Sequence, residues 1–170
     1  MPDRFVPSSE RLRREGSLDR GSLLPTILFA DADADYRAMA RDALLEGRSP
    51  SDLRCANDGQ DLLDYLARRG RHTDPIGSPR PALIVLDLRL PKLDGLDAVR
   101  SIKSSPELRR IPIVALTDDT RPEAVAAAYD AGVNTYLAKP GTFLALVQLM
   151  KVFTAYWLDT AVLPPAKDAA

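Results

Sequence analysis

From Ile27 to Asp159 the chain alternates short apolar runs with longer amphipathic ones. Apolar residues recurring every three or four positions mark one face of a helix, whereas a short unbroken apolar run bounded by turn residues marks a strand covered on both sides. By these rules Ile27 to Ala30 and Leu53 to Ala56 read as strands, each followed by a helical spacing, near Tyr36 to Glu46 and near Gln60 to Arg69. Ala82 to Leu86 is apolar at every position and predicts a central parallel strand. The series continues with a helix near Leu96 to Lys103, a strand Ile113 to Leu116, and a helix Pro122 to Ala131 that opens on proline and stops at Gly132. A short strand, Thr135 to Ala138, and a last helix from about Thr142 to Asp159 complete it. Repeated strand and helix pairs of this kind predict a three-layer, doubly wound α/β fold with parallel strand order 2-1-3-4-5.

Residues 1–24 fall outside the rhythm. They are rich in Arg, Ser, Pro and Gly, too poor in apolar groups to offset their own ordering entropy, and read as a disordered or loosely attached tail. Residues 25–160 form the expected domain and 161–170 a C-terminal extension. Gly70 to Pro81, with Pro75, Gly77 and Pro79, reads as an exposed loop, and its His72 as a solvated residue. A hydrophobic content of 45% in 170 residues suffices for one buried core. The formal net charge of −1 gives no field that would recommend nucleic acid or an anionic membrane as a partner. Cys55 has no second cysteine to pair with and is expected as a small core residue; no apolar run is long enough to span a bilayer, and the charged N-terminus lacks a signal core. A reduced, cytoplasmic protein is expected.

In an open parallel sheet the functional crevice lies beyond the carboxyl ends of the strands. Those ends carry Asp31, Asp87, Thr117 and Lys139. Any one of them alone reads as a helix cap or an exposed side chain; on successive strands they converge. A carboxylate can accept a phosphoryl group, a second can hold Mg²⁺, and a hydroxyl and an ammonium can bind phosphate oxygens. No GxGxxG or GxxxxGK[ST] loop is present, which disfavours a nucleotide enzyme.

The stretch Leu83-Ile-Val-Leu-Asp87-Leu-Arg-Leu-Pro91-Lys-Leu-Asp94-Gly95 resembles the phosphoacceptor segment of CheY-like response-regulator receiver domains. Val114-Ala-Leu-Thr117 and Tyr136-Leu-Ala-Lys139-Pro140 match the other two signatures in order and spacing. The resemblance implies a flavodoxin-like receiver fold and a signalling protein, with no enzymatic activity beyond its own phosphotransfer and dephosphorylation. It implies Asp87 as the phosphoacceptor, Thr117 as the switch hydroxyl, Lys139 as the phosphate-binding lysine and Tyr136 as the switch aromatic. Mg²⁺ would be held by Asp31, Asp87 and the backbone carbonyl of Arg89. Phe153-Thr-Ala-Tyr-Trp-Leu158, with Leu163-Pro164-Pro165, is similar to the single-domain regulators that partner bacterial phytochromes. That likeness implies a sensor histidine kinase as partner and output by protein contact.

Two positions depart from the family pattern. Receivers carry a pair of adjacent acids after the first strand, and here the second is Ala32; Asp33, one residue on, is expected to cap the following helix. The residue after the switch threonine is Asp118 instead of a small one, a like charge beside an incoming phosphoryl group. Both predict weakened Mg²⁺ binding and a weakened switch. The alternative is a pseudo-receiver that binds its partner without phosphorylation. A more distant alternative is a haloacid-dehalogenase-type phosphatase, suggested by the Asp31-Ala32-Asp33 pattern, although no acidic pair follows Lys139.

The last helix is apolar over more than one stripe, with Phe143, Leu144, Leu146, Val147, Leu149, Met150, Val152, Phe153, Tyr156, Trp157 and Leu158. It is either buried deeply in its own domain or covered on a second face by another subunit; a homodimer through this helix and the C-terminal extension is the expectation.

Overall fold

The computed structural model describes residues 24–48 and 50–165. Of the expected N-terminal tail only Leu24 belongs to them, and residues 166–170 of the extension lie outside. The elements are β1 (Thr26–Ala30), α1 (Ala34–Glu46), β2 (Asp52–Ala56), α2 (Gly59–Leu66), a 3₁₀ turn (Gly70–His72), β3 (Leu83–Leu86), α3 (Gly95–Ser104), β4 (Ile113–Thr117), α4 (Pro122–Ala131), β5 (Thr135–Ala138) and α5 (Phe143–Thr154). All strand pairings are parallel and the order is β2-β1-β3-β4-β5, as the sequence predicts.

Alternation along the central strands sorts the core into two halves. Leu28 and Ala30 of β1, Ile84 and Leu86 of β3, and Ile113 and Ala115 of β4 face the helices α2, α3 and α4, where Leu62, Leu66, Val99, Ile102 and Ala128 meet them. Ile27 and Phe29, Leu83 and Val85, and Val114 and Leu116 point the other way, onto Ala40, Ala43 and Leu44 of α1 and Leu146, Val147, Met150 and Phe153 of α5. A strand covered on both faces must be apolar at every position, which is why β1, β3 and β4 show no polar alternation. Truncating one such side chain, Ile84 or Leu86, costs about 2–5 kcal/mol.

Two glycines let helices butt against one loop. Gly59 opens α2 and a Cβ there would lie 2.0 Å from the Leu93 carbonyl oxygen; Gly95 opens α3 and a Cβ there would lie 2.5 Å from the Leu88 Cα. Their N–H groups donate to Pro91 O and Leu88 O, so the 88–94 loop is clamped between two helix N-termini.

The last helix differs from expectation in its final turns: α5 is α-helical to Thr154 and continues as a π-helix over Ala155–Thr160. Its apolar surface divides into a buried and an exposed part. Leu146, Val147, Met150 and Phe153 are buried, while Phe143, Leu144, Val152 and Tyr156 are exposed, with Val162 beyond and Leu45 on the adjacent α1. Pro164 and Pro165 of the extension line a small cleft with Pro81, Pro106 and Pro112. Among the described residues no helix is long and apolar enough to cross a membrane.

His72 corrects its expectation as a solvated residue: it is 7% exposed. Nε2 lies 2.8 Å from Asp61 Oδ1, Nδ1 lies 3.2 Å from Ser78 Oγ, and the ring packs on Tyr65 at 5.0 Å. Asp61 also accepts from the Asn57 N–H and from Arg71. Burial pushes the Asp61 carboxyl up, but hydrogen bonds from His72, Asn57 and Arg71 outweigh it and hold the group below its ordinary range. The loop is therefore stapled to α2. Cys55 is half-buried beside the α1 and α5 core, consistent with a packing role.

Candidate functional site

The sheet register aligns the strand ends. The N–H of Asp87 donates to Ala30 O, and the N–H of Lys139 donates to Thr117 O, so the parallel ladders run on through the residues that matter. Asp31, Asp87 and Thr117 are all buried there, at 1%, 7% and 0% exposure.

Asp31 Oδ1 accepts the Asp33 N–H at 2.9 Å, and Asp87 Oδ1 accepts the Arg89 N–H at 3.0 Å. Lys139 Nζ reaches the other oxygens, hydrogen-bonded to Asp87 Oδ2 at 2.6 Å and ion-paired with Asp31 Oδ2 at 2.7 Å. The ammonium thus sits between the two carboxylates, and among the described residues Asp31 Oδ2 has no partner besides it. Burial works against the Lys139 ammonium, but Asp31 and Asp87 outweigh it and hold its pKa above the ordinary lysine value.

One site residue escapes the strand-end rule: Tyr36, on the first turns of α1, carries its ring under Lys139, with Nζ 4.4 Å from the ring centroid. The ring also stacks on Phe29 at 6.4 Å. Among the described residues its buried hydroxyl has no hydrogen-bond partner, and burial, ahead of the flanking charges, pushes it up to about 12. The only sequence signal is an aromatic five positions after Asp31, which helical spacing alone explains as core.

Thr117 Oγ1 is likewise buried without a partner among the described residues. The Tyr136 hydroxyl donates to the backbone carbonyl of Asp119, and its half-buried ring packs against the core on the α2 to α4 side. Asp118, beside Thr117, is exposed and ion-paired with Arg89.

Asp33 is the cap it was expected to be: its Oδ1 accepts from the N–H groups of Asp35 (2.9 Å) and Tyr36 (3.2 Å). It therefore does not join Asp31 and Asp87, and the paired Asp31–Asp33 arrangement of the phosphatase alternative is not assembled. Ala32 is exposed and offers no oxygen from its side chain. Among the described residues no group of three or more His, Cys, Asp or Glu side chains gathers to hold a metal. What remains for a divalent cation is two carboxylates, Asp31 and Asp87, whose second oxygens both face Lys139. Mg²⁺ is commonly held by one or two carboxylates, with water and phosphate completing the shell.

Known proteins resemble this chain in sequence and in fold. The family model for the response regulator receiver domain matches residues 27–151. The response regulator Rcp1 of Synechocystis sp. is 36% identical over 140 residues, 82% of this chain and 92% of that protein. A structure of its Mn²⁺-bound form superposes with a TM-score of 0.74 at 33% identity, covering 82% of this chain and 99% of that one. The response regulator RPA3017, in red light signalling of R. palustris, superposes with a TM-score of 0.79 at 32% identity (83% and 99% covered). The phosphorylated cyanobacterial phytochrome response regulator RcpA gives 0.76 at 33% identity, with the same coverage.

Proposed function

Since the chain belongs to the response regulator receiver family, we propose that it accepts a phosphoryl group on Asp87 from a sensor histidine kinase, of the phytochrome class, and signals by protein contact. The observation that carries this reading is the Lys139 ammonium seated on both Asp31 and Asp87 at the carboxyl edge of the sheet. One of the two negative charges is thereby offset in the resting state, and a cation stands ready for the phosphoryl oxygens.

In the transfer, Asp87 Oδ2 attacks phosphorus, the new O–P bond forms as the donor's P–N bond breaks, and the electron pair of that bond stays on the donor imidazole. Lys139 turns from carboxylate to phosphoryl oxygen, and the unpartnered Thr117 hydroxyl donates a hydrogen bond to another. A Mg²⁺ ion held by Asp31, Asp87 and the Arg89 carbonyl would neutralise charge on the phosphoryl group. Inward movement of Thr117 vacates space for Tyr136, and the face formed by α4, β5 and α5 reports the change.

The exposed positions Leu144, Val152 and Tyr156, set at four-residue multiples along α5 and its continuation, support a homodimer through that helix, with the extension alongside. The likeness to phytochrome response regulators supports the choice of kinase.

A second reading, a pseudo-receiver acting without phosphate, is favoured by one specific observation: neither Asp33, engaged as a cap, nor Asp118, engaged by Arg89, replaces the acid missing at Ala32. Intact mass after treatment with acetyl phosphate and Mg²⁺ separates the two. A gain of one phosphoryl group, abolished in Asp87→Asn, is the expected result. No gain at any Mg²⁺ concentration overturns the acceptor reading in favour of the pseudo-receiver.

A further inference from the structure

Arg89 is joined to both halves of the site. Its N–H donates to Asp87 Oδ1 at 3.0 Å, and its guanidinium is ion-paired with the carboxylate of Asp118, the residue after Thr117. The two side chains are 62% and 56% exposed, so the pair spans the surface between the β3–α3 and β4–α4 loops. The next residue, Asp119, accepts the Tyr136 hydroxyl on its carbonyl and is tied by its carboxylate to Arg121. That carboxyl is held down at about 2, mainly by Arg121, and the field of Arg89 contributes.

Three consecutive residues thus carry an unpartnered hydroxyl, a carboxylate gripping Arg89, and a carbonyl gripping Tyr136. Successive Cα atoms are a fixed distance of about 3.8 Å apart, so Thr117 cannot travel inward without drawing Asp118 and Asp119 with it. The Arg89–Asp118 pair opposes that travel.

We propose that Arg89 is a positioning residue shared by two anions in turn: Asp118 holds it while Asp87 is bare, and a phosphoryl group on Asp87 takes it over, freeing residues 118 and 119 to follow Thr117. The inference rests on the reading of Asp87 as acceptor. A phosphoryl group brings about −1.5 to −2 charges and three acceptor oxygens against the single charge of a carboxylate, and a guanidinium favours such a partner. Exchange of partners also requires the first grip to be weak. An exposed ion pair shifts an equilibrium by no more than about fivefold, so Asp118 can lose Arg89 as a buried partner could not. The acid at position 118, which as a bare charge would repel the incoming phosphoryl group, is in this arrangement neutralised until the group arrives.

The test uses the full chain in two arms. In the unphosphorylated protein, amide hydrogen exchange over residues 117–121 is expected to quicken about two- to fivefold in Arg89→Gln and in Asp118→Asn, with the double variant no faster than either. Arg89→Lys should recover part of the protection. Additive quickening in the double variant, or none in the singles, overturns the proposal.

In the second arm, acetyl phosphate with Mg²⁺ loads wild type and variants. Loading should quicken exchange over 117–121 in the wild type and leave Arg89→Gln where it already stands. Asp118→Asn should load a few fold faster at low salt, with the difference closing near 1 M salt, where screening acts within about 3 Å. A wild type that loads normally while its rate ignores Asp118→Asn at every salt concentration overturns this inference alone. A wild type that takes no phosphoryl group overturns the acceptor reading as well.

Discussion

Asp31 and Asp87 are held as copies of one another: each gives one carboxylate oxygen to the N–H two residues further on and turns the second toward Lys139. The equivalence comes from the parallel register, in which Ala30 pairs with Leu86 and each strand then releases an aspartate at the same level. Two buried negative charges at one level are tolerable because a single cation lies between them.

Lys139→Met removes the cation and leaves the two carboxylates facing each other. With side-chain exposures of 13%, 2% and 7% for Lys139, Asp31 and Asp87, the loss should cost about 3–5 kcal/mol in urea unfolding. Adding Asp31→Asn should recover most of the loss. A variant as stable as wild type at neutral pH would contradict the arrangement.

Ala32→Asp supplies the missing acid. Titration calorimetry with Mg²⁺ should show affinity about tenfold higher or more, equivalent to ~1.4 kcal/mol, while Asp33→Ala should leave Mg²⁺ affinity unchanged and cost about 1 kcal/mol as a lost helix cap. Equal Mg²⁺ affinity in wild type and Ala32→Asp would mean that the ion does not use this edge.

Tyr36 separates ring from hydroxyl. Tyr36→Phe keeps the face beneath Lys139 and removes a buried hydroxyl without a partner, so stability should be unchanged or rise by up to about 1 kcal/mol. Tyr36→Leu loses the cation–π contact and should cost about 0.5–2 kcal/mol beyond any change in packing. If phenylalanine proves as costly as leucine, the hydroxyl has a partner and the ring does not explain the residue.

Asp61 sets an acid limb. Its folded pKa lies below the unfolded one, so its contribution is fully present above about pH 4 and is lost as pH falls through the lowered value. Asp61→Asn should cost about 1–2 kcal/mol at neutral pH and flatten the decline below about pH 4 in unfolding curves collected across the acid range.

Leu144→Glu with Val152→Glu places charge on the exposed stripe of α5. Sedimentation equilibrium should find wild type as a dimer and the double variant as a monomer, with unfolding free energy altered by no more than about 0.5 kcal/mol per site, as is usual for surface positions. A wild type that stays monomeric at every concentration would refute the dimer.

The order of strands and the four strand-end residues were legible because burial on both faces leaves an unmistakable apolar run, and a parallel sheet brings the residue after each run to the same edge. Leu83 to Leu86 announces β3, and Asp87 comes with it. Tyr36 was not legible, since an aromatic at helical spacing looks the same over a core as over an ammonium. His72 was missed for a different reason: a loop full of glycine and proline reads as solvated, yet Asp61 and Ser78, eleven residues before it and six after, fold it inward. The π-helical ending of α5 has no counterpart in periodicity, and nothing in its sequence forbids a regular helix there.

Gly59 and Gly95 divide the labour of the domain. With bare backbone pressed against it from two helices, the loop from Leu88 to Leu93 behaves as an anvil, stiff because there is no side chain at either contact to yield. Across the pocket, residues 118 to 121 are held by surface charges and one tyrosine hydroxyl, the softer grip. Whatever force a chemical event at Asp87 exerts, the compliant wall must absorb the displacement, so the direction in which news leaves the pocket is settled by where the side chains were omitted.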